Sequence, residues 1–405
     1  MTRASTSSTS HSIRDAQKFQ RIQGNSPLSR RRREHAHEDE ASQSVPDAAA
    51  VRLLHDALLG WYAGAKRDLP WRRTRDPYAI WLSEVMLQQT RVETVIPYYE
   101  RFLSRWPTVG ALADAPIDDV LAAWSGLGYY RRARMLHDAA RGIAAGEVFP
   151  PDAESLGRVK GIGRYTAGAV ASIAYGEAAP LVDGNVARVF ARLFALDEDV
   201  RTAKGTARLW LLAEALVHAE EPGAWNQALM ELGATVCVPK EPRCLVCPVR
   251  GLCRGRLEGV ERELPRAKPK AKPREQRRWA LVAVRDGAVL LGRRRASLRF
   301  GGLWEPPSID ARPGDGEPSH EQLAGELAAL AGGKVRAVAL AGEVTHVLSH
   351  RRLEIQVLSG ELVGKLRTGG AEAAEYDAFE LVDPAEIAGR GTATLARKIL
   401  ARVIG

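Results

Sequence analysis

Val159-Lys160-Gly161-Ile162-Gly163-Arg164-Tyr165-Thr166-Ala167-Gly168 is the stretch on which the reading of this chain turns. Two glycines separated by one residue let the backbone bend tightly and approach another surface closely. Apolar residues on both sides recur at spacings of three and four, so the bend joins two helices. The second helix offers free N–H groups at its start, which can hold a phosphate without reading sequence. Gly161 and Gly163 are therefore candidate contacts to a DNA backbone. In isolation, the same pattern is as readily an ordinary glycine-rich connection.

Working outward, the helical period holds from about residue 50 to 236, punctuated by Gly and Pro. Asp76-Pro77 marks one start, an N-cap residue followed by proline at the first helical position. Further helices are expected over 110–124, 129–145, 152–158, 164–175, 185–195, 205–219 and 222–235. Beyond residue 278 the period falls to two. Residues 279–284 and 288–291 read as strands around an Asp286-Gly287 turn. A helix over 319–331 and strands over 334–345 and 352–362 follow. Before them, Pro265, Pro269 and Pro273 stand among basic residues in an extended, charged linker. The N-terminal stretch is poor in apolar residues, carries Arg30-Arg31-Arg32-Arg33, and reads as disordered. The division is a basic tail (1–47), a helical domain (48–236), a cysteine loop (237–260), a linker (261–277) and an α+β domain (278–405).

At 405 residues, two or three domains are expected. A net charge of +9 suits a polyanionic partner but does not demand one. No apolar run approaches a membrane span, and the N-terminus lacks the apolar core of a secretory signal. Asp15, Glu34, Glu38, Asp39 and Glu40 argue against a mitochondrial transit peptide.

The four cysteines are Cys237, Cys244, Cys247 and Cys253, with none elsewhere to build a disulfide framework. Their spacing, Cys-x6-Cys-x2-Cys-x5-Cys, favours an iron–sulfur cluster over a four-cysteine zinc site. Zinc ribbons usually offer two Cys-x2-Cys pairs, and this loop has one. The spacing, after a long helical domain, resembles the endonuclease III and MutY family of glycosylases. The glycine-rich bend resembles that family's helix-hairpin-helix, and Val182-Asp183-Gly184-Asn185-Val186 follows at the family's spacing. Lys160 stands where the family usually has proline. The resemblance implies a [4Fe–4S] cluster on the four cysteines, structural or redox-active rather than catalytic.

Cleaving an N-glycosidic bond leaves a cationic sugar and a poor purine anion. The reaction therefore needs an acid for the base and a carboxylate for the sugar, with the base extruded from the stack. Glu84, in Trp81-Leu82-Ser83-Glu84-Val85-Met86-Leu87-Gln88-Gln89-Thr90, has apolar neighbours on its helix face that would raise its pKa. Alone it would read as a solvated helix residue, and Asp183 as a turn or cap residue. The decapeptide resembles the signature of MutY-type adenine DNA glycosylases, which implies Glu84 as the acid. It likewise implies Asp183 as stabiliser of the sugar cation and Asn185 as its positioning group. Tyr165 occupies the position of the catalytic lysine of endonuclease III-type enzymes. A phenol cannot form the imine that lysine forms, so a monofunctional glycosylase is expected, with Tyr165 in a positioning role.

The same resemblance places Trp71 and Arg72 at an adenine pocket, Glu231 at the adenine edge, and Gln89, Thr90 and Tyr129 as wedges in the duplex opposite the target. Residues 278–405 resemble the family's nudix-like domain through Gly301-Gly302-Leu303-Trp304-Glu305, without the Glu-rich helix of a nudix hydrolase. Thr345-His346-Val347-Leu348-Ser349-His350 resembles the loop that senses 8-oxoguanine, implying contacts from Leu348, Ser349 and His350. Leu348 replaces the usual Phe. The fold class implied is a mainly α-helical glycosylase domain followed by an α+β nudix-like domain. The implied partner is duplex DNA with adenine opposite 8-oxoguanine or guanine, bound by a monomer away from membranes. Its place would be the nucleoid-associated cytoplasm of a bacterium, or a eukaryotic nucleus or mitochondrion. Rival readings are a glycosylase-lyase for oxidised pyrimidines and a non-enzymatic, cluster-carrying DNA binder.

Overall fold

The computed structural model describes residues 46–146, 149–266, 272–311, 318–366 and 375–405. The Arg30–Arg33 run and residues 267–271 of the linker lie outside the described residues. The helical region runs α1 (Ala48–Ala65), α2 (Pro77–Leu87), α3 (Val92–Arg105), α4 (Val109–Asp114), α5 (Ile117–Ala123), α6 (Arg131–Ala144), α7 (Ala153–Arg158), α8 (Arg164–Tyr175), α9 (Gly184–Leu193), α10 (Ala203–Leu216) and α11 (Pro222–Thr235). Asp76 caps α2 as expected, its carboxylate accepting from the Tyr78 N–H at 3.0 Å. The single helix expected over 110–124 is two. Pro116 has no N–H to donate and disfavours a helical Ala115, so α4 stops at Asp114 and α5 restarts at Ile117.

Two compact units form. The first comprises, among the described residues, 46–64, Gly184–Val217 and Ala228–Arg266. In it α9 packs on α10 and on the short α12 (Arg254–Leu257). The second comprises Ala65–Asp183, His218–Gln227 and Ala267–Gly405. Its helical core gathers Leu82, Met86, Val95, Leu112, Val120, Leu136 and Val170. Every residue of α2 from Tyr78 to Met86 is buried, as in a helix surrounded by its neighbours. Gly168 on α8 is required by close approach, since a Cβ there would lie 2.1 Å from the Pro180 carbonyl oxygen.

The α+β part, within the second unit, is a seven-stranded sheet. Its strands are β1 (Arg274–Arg285), β2 (Ala288–Arg294), β3 (Trp304–Glu305), β4 (Ser308–Asp310), β5 (Lys334–Val347), β6 (Arg351–Val363) and β7 (Tyr376–Val382). The order is β3-β2-β1-β6-β5, with β4 also on β1 and β7 on β2. The β1–β6 pair is parallel and the others antiparallel. Asp286 and Gly287 take φ of 50° and 81°, the tight hairpin turn expected of Asp-Gly. β1 starts earlier than the expected 279 because β6 offers a partner from Arg351 onward, in register with Arg274. Helix α13 (His320–Ala329) sets Leu323 and Leu327 against Leu281 and Leu290. The other face takes α14 (Thr394–Leu400), with Leu395 and Ile399 against Val282 and Val357.

Helical and sheet parts of the second unit meet through polar contacts. Ser125 Oγ and Tyr130 Oη both donate to the Thr392 carbonyl, at 2.6 and 3.0 Å. Arg397 donates to Ser125 Oγ at 2.6 Å.

Candidate active site

Glu84 lies in the middle of α2 and is 4 % exposed. Ile80, Trp81 and Val85 are buried around it, and that loss of water disfavours the carboxylate. Burial pushes its pKa up to about 7, and the nearby Asp183 charge adds to the rise. Tyr165 and Arg72 act the other way. The Tyr165 hydroxyl donates to Glu84 Oε2, and the Arg72 charge favours the ionised form. The Tyr165 hydroxyl is itself held far above its ordinary range by burial and by Glu84 and Asp183. Glu84, Tyr165, Asp183 and Arg72 thus form one electrostatic group, with an acid able to hold its proton near neutrality. Arg72 is tethered to the Arg67 carbonyl at 3.1 Å. Trp71 stacks edge-on against Tyr99 at 5.5 Å and belongs to the hydrophobic core.

The hairpin has the backbone its glycines suggested. Gly161 takes φ of 102°, a conformation that favours glycine. Gly163 is the N-cap of α8, with no side-chain hydrogen bond at the cap. Gly161, Gly163 and Arg164 are exposed while Ile162 between them is buried, so the loop is anchored by one apolar side chain and offers its backbone outward.

Gln89 and Tyr129 both adopt left-handed backbone, at φ of 60° and 48°, a conformation that non-glycine residues seldom hold without support. Tyr129 is 49 % exposed. Its hydroxyl lies 3.1 Å from Ser349 Oγ, joining a helical-region loop to the β5–β6 turn across the sequence. Ser349 and His350 are exposed, whereas Leu348 packs against the sheet core. The exposed apolar residue of that turn is Val347, at 64 %.

Asn185, Glu231 and the cysteines belong to the first unit. Glu231, on α11, is 1 % exposed. Arg188 donates to Asn185 Oδ1 at 2.9 Å and to the carbonyls of Gly233 and Cys237 at 2.7 and 2.8 Å. All four cysteines line one cavity, together with Arg192, Arg243, Arg250, Arg256 and Glu261. Arg192 donates to Cys237 Sγ at 3.3 Å, and its carbonyl accepts from Cys253 Sγ at 3.4 Å. Burial pushes the Cys247 thiol up to about 11 and raises Cys244 and Cys253, with mutual repulsion of the sulfurs adding to each. Four thiolates need a cationic centre to coexist here. Among the described residues no group of three His, Cys, Asp or Glu converges to hold a single ion. Sulfurs distributed around a shared cavity fit a polynuclear iron–sulfur group.

Sequence reasoning missed Arg132, Arg188 and Arg192. For Arg192 a signal existed, because it sits on the apolar stripe of α9 with Val189 and Phe190. Arg132 gave none, standing among Arg131 and Arg134.

A model described as HhH-GPD superfamily base excision DNA repair protein matches residues 82–214, and a NUDIX domain model matches 278–402. An adenine DNA glycosylase of Homo sapiens is 40 % identical over 378 residues, covering 79 % of this chain and 69 % of the human protein. One of Rattus norvegicus is 39 % identical over 377 residues, covering 79 % and 72 %. The solved structure of a thermostable thymine-DNA glycosylase is 29 % identical and covers 52 % of this chain and all of its own, at a TM-score of 0.48. With relatives of this identity matched along most of both chains, the protein belongs to the adenine DNA glycosylases, enzymes of base excision repair that hydrolyse N-glycosidic bonds.

Proposed function

We propose that the substrate is adenine opposite 8-oxoguanine, or opposite guanine, in duplex DNA, and that the enzyme excises it without cutting the strand. The observation that carries the mechanism is Glu84, buried in α2 with its acid form populated near neutrality. Glu84 passes its proton to a ring nitrogen of the extruded adenine. The bond from the sugar to the base breaks, and its electron pair leaves with adenine. Asp183, as carboxylate, stabilises the resulting sugar cation, with Asn185 positioning it. A water adds to the sugar carbon and its proton returns to Glu84. Tyr165 holds the acid in place, and having no amine it forms no imine with the sugar.

Trp71, Arg72 and Glu231 belong to the adenine pocket in this reading. Gln89, Thr90 and Tyr129 wedge into the duplex opposite the target, and Leu348, Ser349 and His350 report on the opposite base. The Tyr129–Ser349 contact supports joining those last two groups. Gly161 and Gly163 hold the DNA backbone. Cys237, Cys244, Cys247 and Cys253 hold a [4Fe–4S] cluster, which supplies rigidity to the loop around it. The boundaries at 47, 236, 260 and 277 are our working division of the chain.

The test is a duplex with one adenine opposite 8-oxoguanine, incubated with the protein and then treated with alkali. Cleavage at the adenine only after alkali is expected. An uncut adenine strand refutes the substrate, and nicking before alkali refutes the monofunctional reading. Glu84→Gln should bind the same duplex and leave it uncut.

A further inference from the structure

Arg132, the second residue of α6, is 8 % exposed. Buried arginines usually meet a carboxylate, yet every hydrogen-bond acceptor recorded for this one is uncharged. Nη1 donates to the carbonyls of Val85, Met86 and Gln88 at 2.9, 2.8 and 2.5 Å. Nη2 donates to Thr90 Oγ1 at 3.0 Å and to the Gly128 and Leu127 carbonyls at 3.2 and 3.4 Å. The guanidinium also lies over the rings of Trp124 and Tyr129, at 5.3 and 5.6 Å.

Val85 and Met86 belong to the last turn of α2, and the other partners fall on two loops. One leaves the C-terminus of α2, whose last turn has no basic residue of its own and whose final carbonyls lack helical partners. The other is the 126–129 turn before α6. Both contain left-handed backbone, at Gln89 on the first and at Gly126, Gly128 and Tyr129 on the second. Such conformations persist where the surroundings over-determine them, and a planar fork reaching six oxygens does so. A lysine, with three donors on one nitrogen, could not span both loops.

We propose that Arg132 is a positioning residue that clamps the 88–90 and 127–129 loops into one rigid wedge and so governs extrusion of the target base rather than bond cleavage. The inference rests on the wedge role given above to Gln89, Thr90 and Tyr129. An exposed aromatic side chain can replace a base in the stack, but only if its backbone stays fixed while the duplex pushes back.

The test is Arg132→Lys on a duplex with adenine opposite 8-oxoguanine and 2-aminopurine beside that adenine. Stopped-flow fluorescence reads unstacking, and single-turnover excision is followed from pH 6 to 9, normalised to active protein. Slowing of unstacking and excision together by about tenfold or more is expected, with the pH dependence of excision flattened because extrusion has become limiting. Slow excision with normal unstacking and an unchanged pH profile would overturn the proposal, as would unaltered kinetics. Failure of Arg132→Lys to fold would also overturn it, because Arg132 would then be a folding residue. Glu84→Gln separates the two readings, since it should unstack the base at the normal rate and leave it attached. Absence of excision by the unsubstituted protein refutes the proposed substrate instead.

Discussion

The proton on Glu84 can be followed by moving pH across its titration and by removing the hydroxyl beside it. Its pKa rises from 4.5 to about 7, which at 1.36 kcal/mol per pH unit is about 3 kcal/mol in favour of the neutral form. An unperturbed glutamate would be about 0.3 % protonated at pH 7, against about half for this one, an enrichment of order 10². Single-turnover excision should therefore be nearly flat below pH 6. It should fall through a midpoint near 7 and drop about tenfold per unit by pH 8–9. Tyr165→Phe removes a donor that favours the carboxylate. A hydrogen bond to a charged group contributes roughly 1.5–3 kcal/mol, so the midpoint should move to higher pH by about one unit or more. A rate independent of pH from 6 to 9, or a midpoint in Tyr165→Phe that stays put or moves down, would refute the reasoning. Stability carries the same sign. Because the folded pKa lies above the unfolded one, Glu84 costs nothing below pH 4.5 and destabilises progressively up to about 7. Glu84→Gln should accordingly gain stability at pH 8 relative to pH 4, by up to about 3 kcal/mol, measured by urea unfolding.

Other substitutions test separate parts. Gly168→Ala drives a methyl into the Pro180 carbonyl and should cost about 2 kcal/mol or more in urea unfolding; an unchanged midpoint would show that α8 can shift freely. Cys247→Ser should lower iron and acid-labile sulfide from about four of each per chain, and full retention of both would remove Cys247 from the ligand set. Ser349→Ala deletes the contact to Tyr129 and should reduce the preference for 8-oxoguanine over guanine several-fold, on the order of 1 kcal/mol; an equal preference in single-turnover assays would exclude the turn from damage reading.

Local chemistry made part of this protein legible without coordinates. Asp76 before Pro77 and Asp286 before Gly287 act through their own backbone neighbours, and both signals appear where expected. Pro116 is equally local, and it separates α4 from α5 within the stretch 110–124 that reads as one helix. The parallel partner of β1 was not legible, because β6 lies about eighty residues further along and nothing in residues 274–278 announces it. At the active site, residue types alone leave Glu84 as a solvated helix residue and Asp183 as a turn or cap residue, and it is the resemblance of whole motifs that nominates them with Tyr165. Their mutual influence on proton affinity depends on α2 and α8 being packed together, which no spacing encodes. Arg132 shows the limit most clearly. Its sequence neighbours are ordinary, and its meaning comes from six oxygens on segments up to 47 residues away.

Helix α2 carries Glu84 at its centre and ends at the loop that begins with Gln88. Four residues separate them, about 6 Å along the axis, and a fully buried helix has little freedom to bend over one turn. Such a rod transmits displacement without a hinge. If the loop end is pushed by a base pair that resists opening, the carboxyl group travels with it and loses its alignment with the base. A base pair that opens freely would leave both ends at rest. Strain at the loop and alignment of the acid are thereby coupled through one rigid helix.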